Sequence, residues 1–271
     1  MREQALKHKI ILFYVLTFVI SWAFWLAMWR VQDGGEPSVI VFALSTLGTL
    51  GPLLSLLIIE SLTLKQVSVE RIYGQIRFRG TDRRWPILAG LSMLVITTLG
   101  NLSYAALGRL PGLQLIRTGP DSMGAFVLPI MVVQFAAGLL TSPLLEEPGW
   151  RGFALPHLQT RLGRTLGSLV VGVLWWLWHQ GMNIAFGEMP SVYQALSMVA
   201  LSFMIDSLFN LSGRNLLTAM LAHQSAGTAL NFLDLGEQNW IQVGLLVAFV
   251  VWLRWQEART VSTTQSMSTS A

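Results

Sequence analysis

The sequence predicts an all-α fold, a polytopic transmembrane helix bundle of about eight spans with the N- and C-termini in the cytoplasm. Of the 271 residues, 53% are hydrophobic and 12% are charged, and this charged fraction is about half that of a typical soluble domain. Apolar runs long enough to cross a hydrocarbon core of about 30 Å recur along the whole chain. Strands are not expected, because lipid cannot satisfy the polar groups of an open sheet edge.

Apolar segments define the candidate spans. The first follows Arg2, Lys7 and Lys9, but it is too long for the apolar region of a signal peptide and has no evident cleavage site, so we interpret it as a retained helix. In chain order the predicted spans are 10–30, 38–62, 86–107, 123–147, 166–185, 191–212, 215–234 and 239–255.

Charged residues between the spans predict the orientation of the helices. The loop between the second and third spans carries the largest basic cluster, which the positive-inside rule places in the cytoplasm. This cluster contains Lys65, Arg71, Arg77, Arg79, Arg83 and Arg84. The opposite loops hold Asp33, Glu36, Glu188, Asp234 and Glu237, with Arg109 and Arg117 as basic exceptions. An even number of spans with both ends inside satisfies this pattern.

Composition also limits partners and domain organisation. The net charge of +4 does not predict a nucleic-acid partner, because the basic residues are dispersed between apolar runs. The absence of cysteine excludes disulfides, thiol nucleophiles and Cys-ligated zinc. We predict a single integral membrane domain over residues 1–255, and a disordered polar tail over 256–271 with too little apolar surface to fold alone.

The segment Ser142–Pro156 bears most directly on function, because two adjacent glutamates follow an apolar span. Ionisable residues at such positions usually face a bundle interior or a water-filled cavity. On a helix, Glu147 and Arg151 share a face with the acid before the base, which predicts an ion pair. Glu146 is turned about 100° away and is a candidate general base. Pro148 predicts a kink or a helix restart. The alternative is that these charges only anchor the helix at the lipid headgroups.

Two of the four histidines fall inside predicted spans. His179 lies in the fifth span, where an imidazole can share a proton or orient a water; alternatively it is a packed, neutral histidine bonded to Asn183. His223 lies in the seventh span, and Asn231 follows on the same helical face about 12 Å along the axis. Burying each polar group costs free energy, so the histidines together with the glutamate pair predict a functional site.

Two motifs in this region resemble those of the CPBP family of membrane proteins, which includes CAAX prenyl endopeptidases, bacteriocin-processing and bacteriocin-immunity proteins, and Abi-type relatives. The first motif is two glutamates, three residues and an arginine, and it is matched by Glu146, Glu147 and Arg151. The second is a phenylalanine, three residues and a histidine; here Trp175 occupies the aromatic position before His179.

The third family motif is a histidine, three residues and Asn or Asp. His223 matches its first position, whereas Gly227 occupies the second. Carried over by position, the resemblance implies Glu146 as the base, His179 as its partner in water activation and His223 as an oxyanion donor. It implies supporting roles for Glu147 and Arg151, and Asn231 could replace the missing side chain only if the helix is distorted. Gly227 leaves the oxyanion site without one donor, a loss that typically costs about a hundredfold or more in rate.

The resemblance implies an intramembrane endopeptidase of a bacterial cytoplasmic membrane that cleaves a membrane-associated peptide or protein, either CAAX-like or of bacteriocin type, through a Glu-activated water. A metal-dependent variant uses Glu146, His179 and His223 as ligands of a divalent metal such as zinc, although the HExxH spacing is absent. The alternative from another class is a non-catalytic membrane protein, namely a bacteriocin-immunity factor, a scaffold or a small transporter. Gly227 slightly favours this alternative.

Overall fold

The computed structural model describes residues 2–32, 38–109, 127–233 and 238–269, with side chains described from residue 8 to residue 260 within those ranges. Over these ranges the chain forms eleven α-helices and one π-helix and contains no β-strand, which confirms the all-α prediction. Some charged loop residues considered in the predicted topology lie outside the described ranges, namely Asp33, Glu36, Arg117, Asp234 and Glu237.

The helices follow one another with short connections along most of the described chain. The first six are α1 (Arg2–Val31), α2 (Val39–Thr49), α3 (Gly51–Leu62), α4 (Val69–Tyr73), α5 (Arg84–Ala106) and α6 (Val127–Gly138). The rest are α7 (Ser142–Glu147), the π-helix (Pro148–Ala154), α8 (Leu155–Ala185), α9 (Val192–Leu211), α10 (Leu216–Phe232) and α11 (Trp240–Thr269). They belong to two compact units, the first made of Met1–Ile76 with Leu144–Val199 and the second of Arg77–Pro143 with Ala200–Ala271.

Membrane-spanning length is reached by five helical stretches of the described residues, or by six if one bent pair counts as a span. The stretches are His8–Val31, Arg84–Ala106, Val127–Ala185, Val192–Leu211 and Trp240–Thr260, and the bent pair is Val39–Thr49 with Gly51–Leu62 at 45°. These apolar helices indicate an integral membrane protein.

The predicted number of eight spans is not confirmed, because two of the predicted spans lie in one long helical stretch and another is a short helix. The predicted span 166–185 and the described part of the predicted span 123–147, from residue 127 onward, fall in one helical stretch of 59 residues. The predicted span 215–234 corresponds to α10, whose 17 residues give a length of about 25 Å, less than the hydrocarbon core of about 30 Å. The count of eight and the cytoplasmic placement of both termini stay predictions.

In the first unit, α1 packs against α2, α3 and α8, and the π-helix packs against α3, α4 and α8. Gly149 allows this close approach of the π-helix, because a Cβ there would lie 2.9 Å from Pro52 and 3.0 Å from the ring of Phe13. Only a residue without a side chain fits at such distances. The segment with the glutamate pair is therefore held between helices of the first unit.

In the second unit, α10 packs against α5 and α6, and α11 packs against α5. Polar contacts fix these crossings: the Asn101 side chain donates to the Leu233 carbonyl at 2.8 Å, and the Thr228 hydroxyl donates to Gln134 Oε1 at 2.9 Å. Such interhelical hydrogen bonds give an apolar bundle a defined register. They set the position of α10, which carries His223.

The last helix, α11, continues to Thr269, past residue 255, where the sequence predicts that order ends. Glu257 is buried and its Oε2 accepts a hydrogen bond from Arg254 at 3.1 Å. This contact joins two residues about one turn apart within α11, and the disorder expected over 256–271 stays a prediction. The division into a membrane domain and a tail stays a prediction.

Candidate functional site

Helix α7, which ends at Glu147, is followed by seven residues of π-helix over Pro148–Ala154. Proline has no backbone N–H and its ring clashes with the carbonyl four residues earlier, so a regular α-helix cannot continue through Pro148. The chain resolves this conflict by widening into a π-helix, an arrangement frequently found at functional sites. The regular α-helix is interrupted at Pro148 as expected, but the interruption is a π-helix and not the predicted kink or helix restart.

The predicted ion pair forms within this segment. Arg151 Nη1 lies 3.1 Å from Glu147 Oε1, and both side chains are completely buried. Glu146 is also buried, with 1% of its surface exposed. The alternative that these charges only anchor a helix at the headgroups is therefore wrong, because groups bonded to headgroups would be exposed at the surface of the protein.

Trp175 on α8 connects Glu146 to His179. Its indole Nε1 donates a hydrogen bond to Glu146 Oε2 at 3.1 Å. The guanidinium carbon of Arg151 lies 4.9 Å from the Trp175 ring centroid, and the His179 ring meets the indole edge-on at 4.7 Å between centroids. The first unit thus brings together the predicted base, its histidine partner and the cation of the ion pair around one tryptophan.

The orientation of His179 is set by α8 itself. Its Nδ1 lies 2.8 Å from the carbonyl oxygen of Trp175, one turn earlier. A carbonyl can only accept, so in this hydrogen bond Nδ1 carries the proton. In the neutral imidazole the lone pair is then on Nε2, which is the atom able to accept a proton from a water or bind a metal.

His223 belongs to the second unit. Its Nε2 is 3.5 Å from the hydroxyl oxygen of Ser142, the first residue of α7, and the imidazole is half-buried. Gly227 follows one turn later on α10, and a Cβ placed there would meet its nearest neighbour, Gln224 Oε1, at 3.9 Å. Asn231 is exposed. A common site of His223 with Glu146 and His179 stays a prediction.

The metal variant requires three possible ligands close together. In the described part of the chain, no three His, Asp or Glu side chains are grouped closely enough to hold a metal ion. Zinc ligation by Glu146, His179 and His223 stays a prediction that metal analysis can test.

The sequence analysis did not predict two of these contacts. The indole of Trp175 is the donor to Glu146, and a signal existed, because a buried tryptophan N–H usually finds a polar partner. Ser142, the neighbour of His223, carried no such signal. Its contact connects residues 81 positions apart, which no local pattern predicts.

Comparison with known proteins shows what this region of the chain is similar to. Residues 128–229 match the profile of the family described as type II CAAX prenyl endopeptidase Rce1-like. The chain is also 25% identical over 177 residues to CAAX prenyl protease 2 of Methanococcus maripaludis, an alignment covering 64% of this chain and 62% of that protein. The matched region contains the three motifs, from Glu146 to Gly227. Residues 128–229 are therefore similar to the Rce1-like CAAX prenyl endopeptidases, and the resemblance predicted from the motifs is confirmed.

Proposed function

We propose that this protein is an intramembrane endopeptidase that hydrolyses a peptide bond through a water activated by Glu146. The observation that carries the proposal is the group formed by buried Glu146 and Trp175 with half-buried His179, in which Trp175 Nε1 donates to the Glu146 carboxylate at 3.1 Å. This group lies in the region similar to CAAX prenyl endopeptidases. Buried carboxylates in membrane helices are costly and usually functional.

The reaction uses the carboxylate as a general base. Glu146 takes a proton from a water while the water oxygen attacks the carbonyl carbon of the scissile peptide bond. His179 orients the same water through Nε2, the nitrogen left with the lone pair by the bond from Nδ1 to the Trp175 carbonyl. The proton on Glu146 then passes to the departing amine as the C–N bond breaks, which leaves a carboxylic acid and an amine.

The oxyanion formed during this attack requires a hydrogen-bond donor. We assign this role to His223, and donors aimed at a developing oxyanion usually provide a large part of the rate. Gly227 provides no side-chain donor, so the oxyanion site has one donor fewer than the family motif would supply. Glu147 and Arg151 support the site by fixing the turn that carries Glu146, whereas Asn231 is exposed and two turns from His223.

The substrate class that the similarity favours is a membrane-associated protein with a CAAX-like carboxyl terminus, with bacteriocin-type peptides as the second class. The named relative, CAAX prenyl protease 2, is matched over 62% of its length. We place the protein in a bacterial cytoplasmic membrane, where such substrates meet the cytoplasmic leaflet.

Cleavage of a defined peptide library tests the proposal. Purified protein in detergent is incubated with farnesylated and unmodified peptides, with and without a chelator, and fragments are identified by mass spectrometry. Glu146→Gln keeps the size of the side chain but cannot take the proton, so it should abolish cleavage. Removal of a general base typically costs about 100- to 10,000-fold in rate.

Glu188→Gln is the matched control, because Glu188 is an exposed carboxylate outside the group, and this variant should cleave like the wild type. Equal fragment yields from wild type and Glu146→Gln would contradict the proposal. Loss of cleavage with chelator, together with bound zinc in elemental analysis, would support the metal variant.

The second candidate is a non-catalytic membrane protein, such as a bacteriocin-immunity factor, a scaffold or a small transporter, and Gly227 is the observation that favours it. Under this function the buried charges serve packing or proton handling. Glu146→Gln would then leave the biological function intact, and wild-type protein would yield no fragments from any peptide.

A further inference from the structure

The carbonyl of Leu144 lacks its usual helical donor. In an α-helix this oxygen would accept from the N–H four residues later, and that residue is Pro148, which has none. Leu144 lies on α7, two residues before Glu146. A carbonyl left without a donor inside a protein costs free energy and leaves its peptide plane less constrained. The defect therefore lies in the turn that carries the proposed base.

A tyrosine from a distant part of the first unit supplies a hydrogen-bond donor to this carbonyl. The hydroxyl of Tyr73, the last residue of α4, donates to the Leu144 carbonyl at 3.0 Å. The two residues are 71 positions apart. The bond therefore connects the short helix α4 to the helix that carries both glutamates.

Helix α4 is itself fixed, so it can serve as an anchor. Its N-cap Ser68 accepts from the Arg71 N–H. Glu60 on α3 accepts from the Val69 N–H at 3.1 Å, and the Thr63 hydroxyl accepts from the Val67 N–H at 3.3 Å. These bonds tie the start of α4 to the end of α3, so Tyr73 is presented from a constrained segment.

Tyr73 retains its proton under ordinary conditions. Burial raises the pKa of its phenol above the usual value of 10.0, because a phenolate is disfavoured away from water. The side chain therefore stays a hydroxyl donor at neutral pH and above it.

We propose that Tyr73 is a positioning residue for Glu146, and that its hydroxyl replaces the backbone donor that Pro148 lacks. By satisfying the Leu144 carbonyl, Tyr73 holds the last turn of α7 in the conformation that directs Glu146 to Trp175 and the reacting water. This inference rests on the proposed function for its kinetic consequence, whereas the hydrogen bond itself can be tested without activity.

Tyr73→Phe tests the proposal, because it removes only the hydroxyl. We expect kcat to fall roughly 2- to 10-fold with KM unchanged, as for loss of one hydrogen bond, with an internally quenched peptide carrying a farnesylated cysteine fourth from its C-terminus as the probe. Amide hydrogen exchange over residues 142–155 should accelerate by a similar factor. Tyr104→Phe is the control, since Tyr104 also donates to a carbonyl, that of Gln238 at 2.9 Å, and this variant should change neither quantity.

Pro148→Ala supplies the rescue. An alanine restores an N–H at position 148, so the Leu144 carbonyl can regain a helical donor. Tyr73→Phe should therefore reduce kcat and accelerate exchange less in the Pro148→Ala background than in the wild type. Equal effects in both backgrounds, or unchanged exchange over 142–155 in Tyr73→Phe, would overturn the proposal.

Failure of the endopeptidase proposal can be distinguished from failure of the Tyr73 proposal by the variant measurements. If Glu146→Gln cleaves like the wild type, or the peptide is not cleaved at all, the endopeptidase proposal or its substrate class fails. The exchange measurement still decides whether Tyr73 holds the last turn of α7. If kcat falls in Glu146→Gln while kcat and exchange stay unchanged in Tyr73→Phe, only the positioning role of Tyr73 is contradicted.

Discussion

Trp175 provides an indole N–H at a position where the family motif has phenylalanine. That N–H donates to the Glu146 carboxylate at 3.1 Å, while the ring faces Arg151 and His179. Trp175→Phe keeps an aromatic ring and removes the donor. A hydrogen bond to a charged group contributes about 1.5–3 kcal/mol, so we expect kcat to fall by roughly 10- to 100-fold, measured with the quenched peptide.

Trp22→Phe is the matched control for this change. The Trp22 indole also donates a hydrogen bond, but to the backbone carbonyl of Trp178 at 3.0 Å. This variant should lose some thermal stability and keep its kcat. A Trp175→Phe variant with wild-type kcat would show that Glu146 needs no donor.

The buried ion pair of Glu147 with Arg151 should contribute to the thermal stability of the protein. Removing one partner breaks an ion pair that is buried away from water, which typically costs about 3–5 kcal/mol. Arg151→Met should therefore lower the thermal unfolding temperature in detergent sharply, and Glu147→Leu in addition should recover much of the loss. Asp82→Asn, which breaks an exposed pair with Arg84, should cost only about 0–1 kcal/mol. Similar losses from both single changes would contradict the burial of the Glu147 pair.

At the scale of elements, α10 provides a direct test of the oxyanion assignment. Gly227 has space for a side chain, since a Cβ would meet its nearest neighbour at 3.9 Å. Gly227→Asn should therefore fold and supply the amide of the family motif, raising kcat by up to about a hundredfold. Gly244→Asn on α11, where a Cβ would meet nothing within 4 Å, is the control and should leave kcat unchanged. A stable Gly227→Asn variant without faster cleavage would argue against an oxyanion role for this turn of α10.

The sequence predicts that the α-helix is interrupted at Pro148, but not that the interruption is a π-helix. Pro148 predicts that regular helix cannot continue, because the missing N–H and the ring clash are properties of proline alone. The form of the distortion depended on neighbours, since Gly149 packs against Phe13 and Pro52 and Tyr73 satisfies the Leu144 carbonyl. These neighbours are far away in the sequence.

At the scale of the whole molecule, cysteine labelling tests the predicted eight membrane spans. The chain has no cysteine, so single cysteines can be placed in it and labelled with an impermeant maleimide from either side of sealed vesicles. If α10 crosses the membrane despite its 17 residues, Leu211→Cys and Gln238→Cys should react from opposite sides.

The predicted orientation is tested in the same way. Phe78→Cys and Ser266→Cys should react from the cytoplasmic side, with Glu188→Cys as the external control. Labelling of Leu211→Cys and Gln238→Cys from one side would rule out the eight-span topology.

The sequence by itself determined the all-helical membrane character, the ion pair of Glu147 with Arg151 and the distortion at Pro148. Each follows from composition or from residues within one helical turn, where spacing alone fixes which side chains can meet. The tertiary structure decided that Trp175 on α8 donates to Glu146 and that Tyr73 reaches Leu144. Contacts between separate helices depend on how apolar surfaces pack, and many packings of the same helices satisfy one hydrophobic pattern.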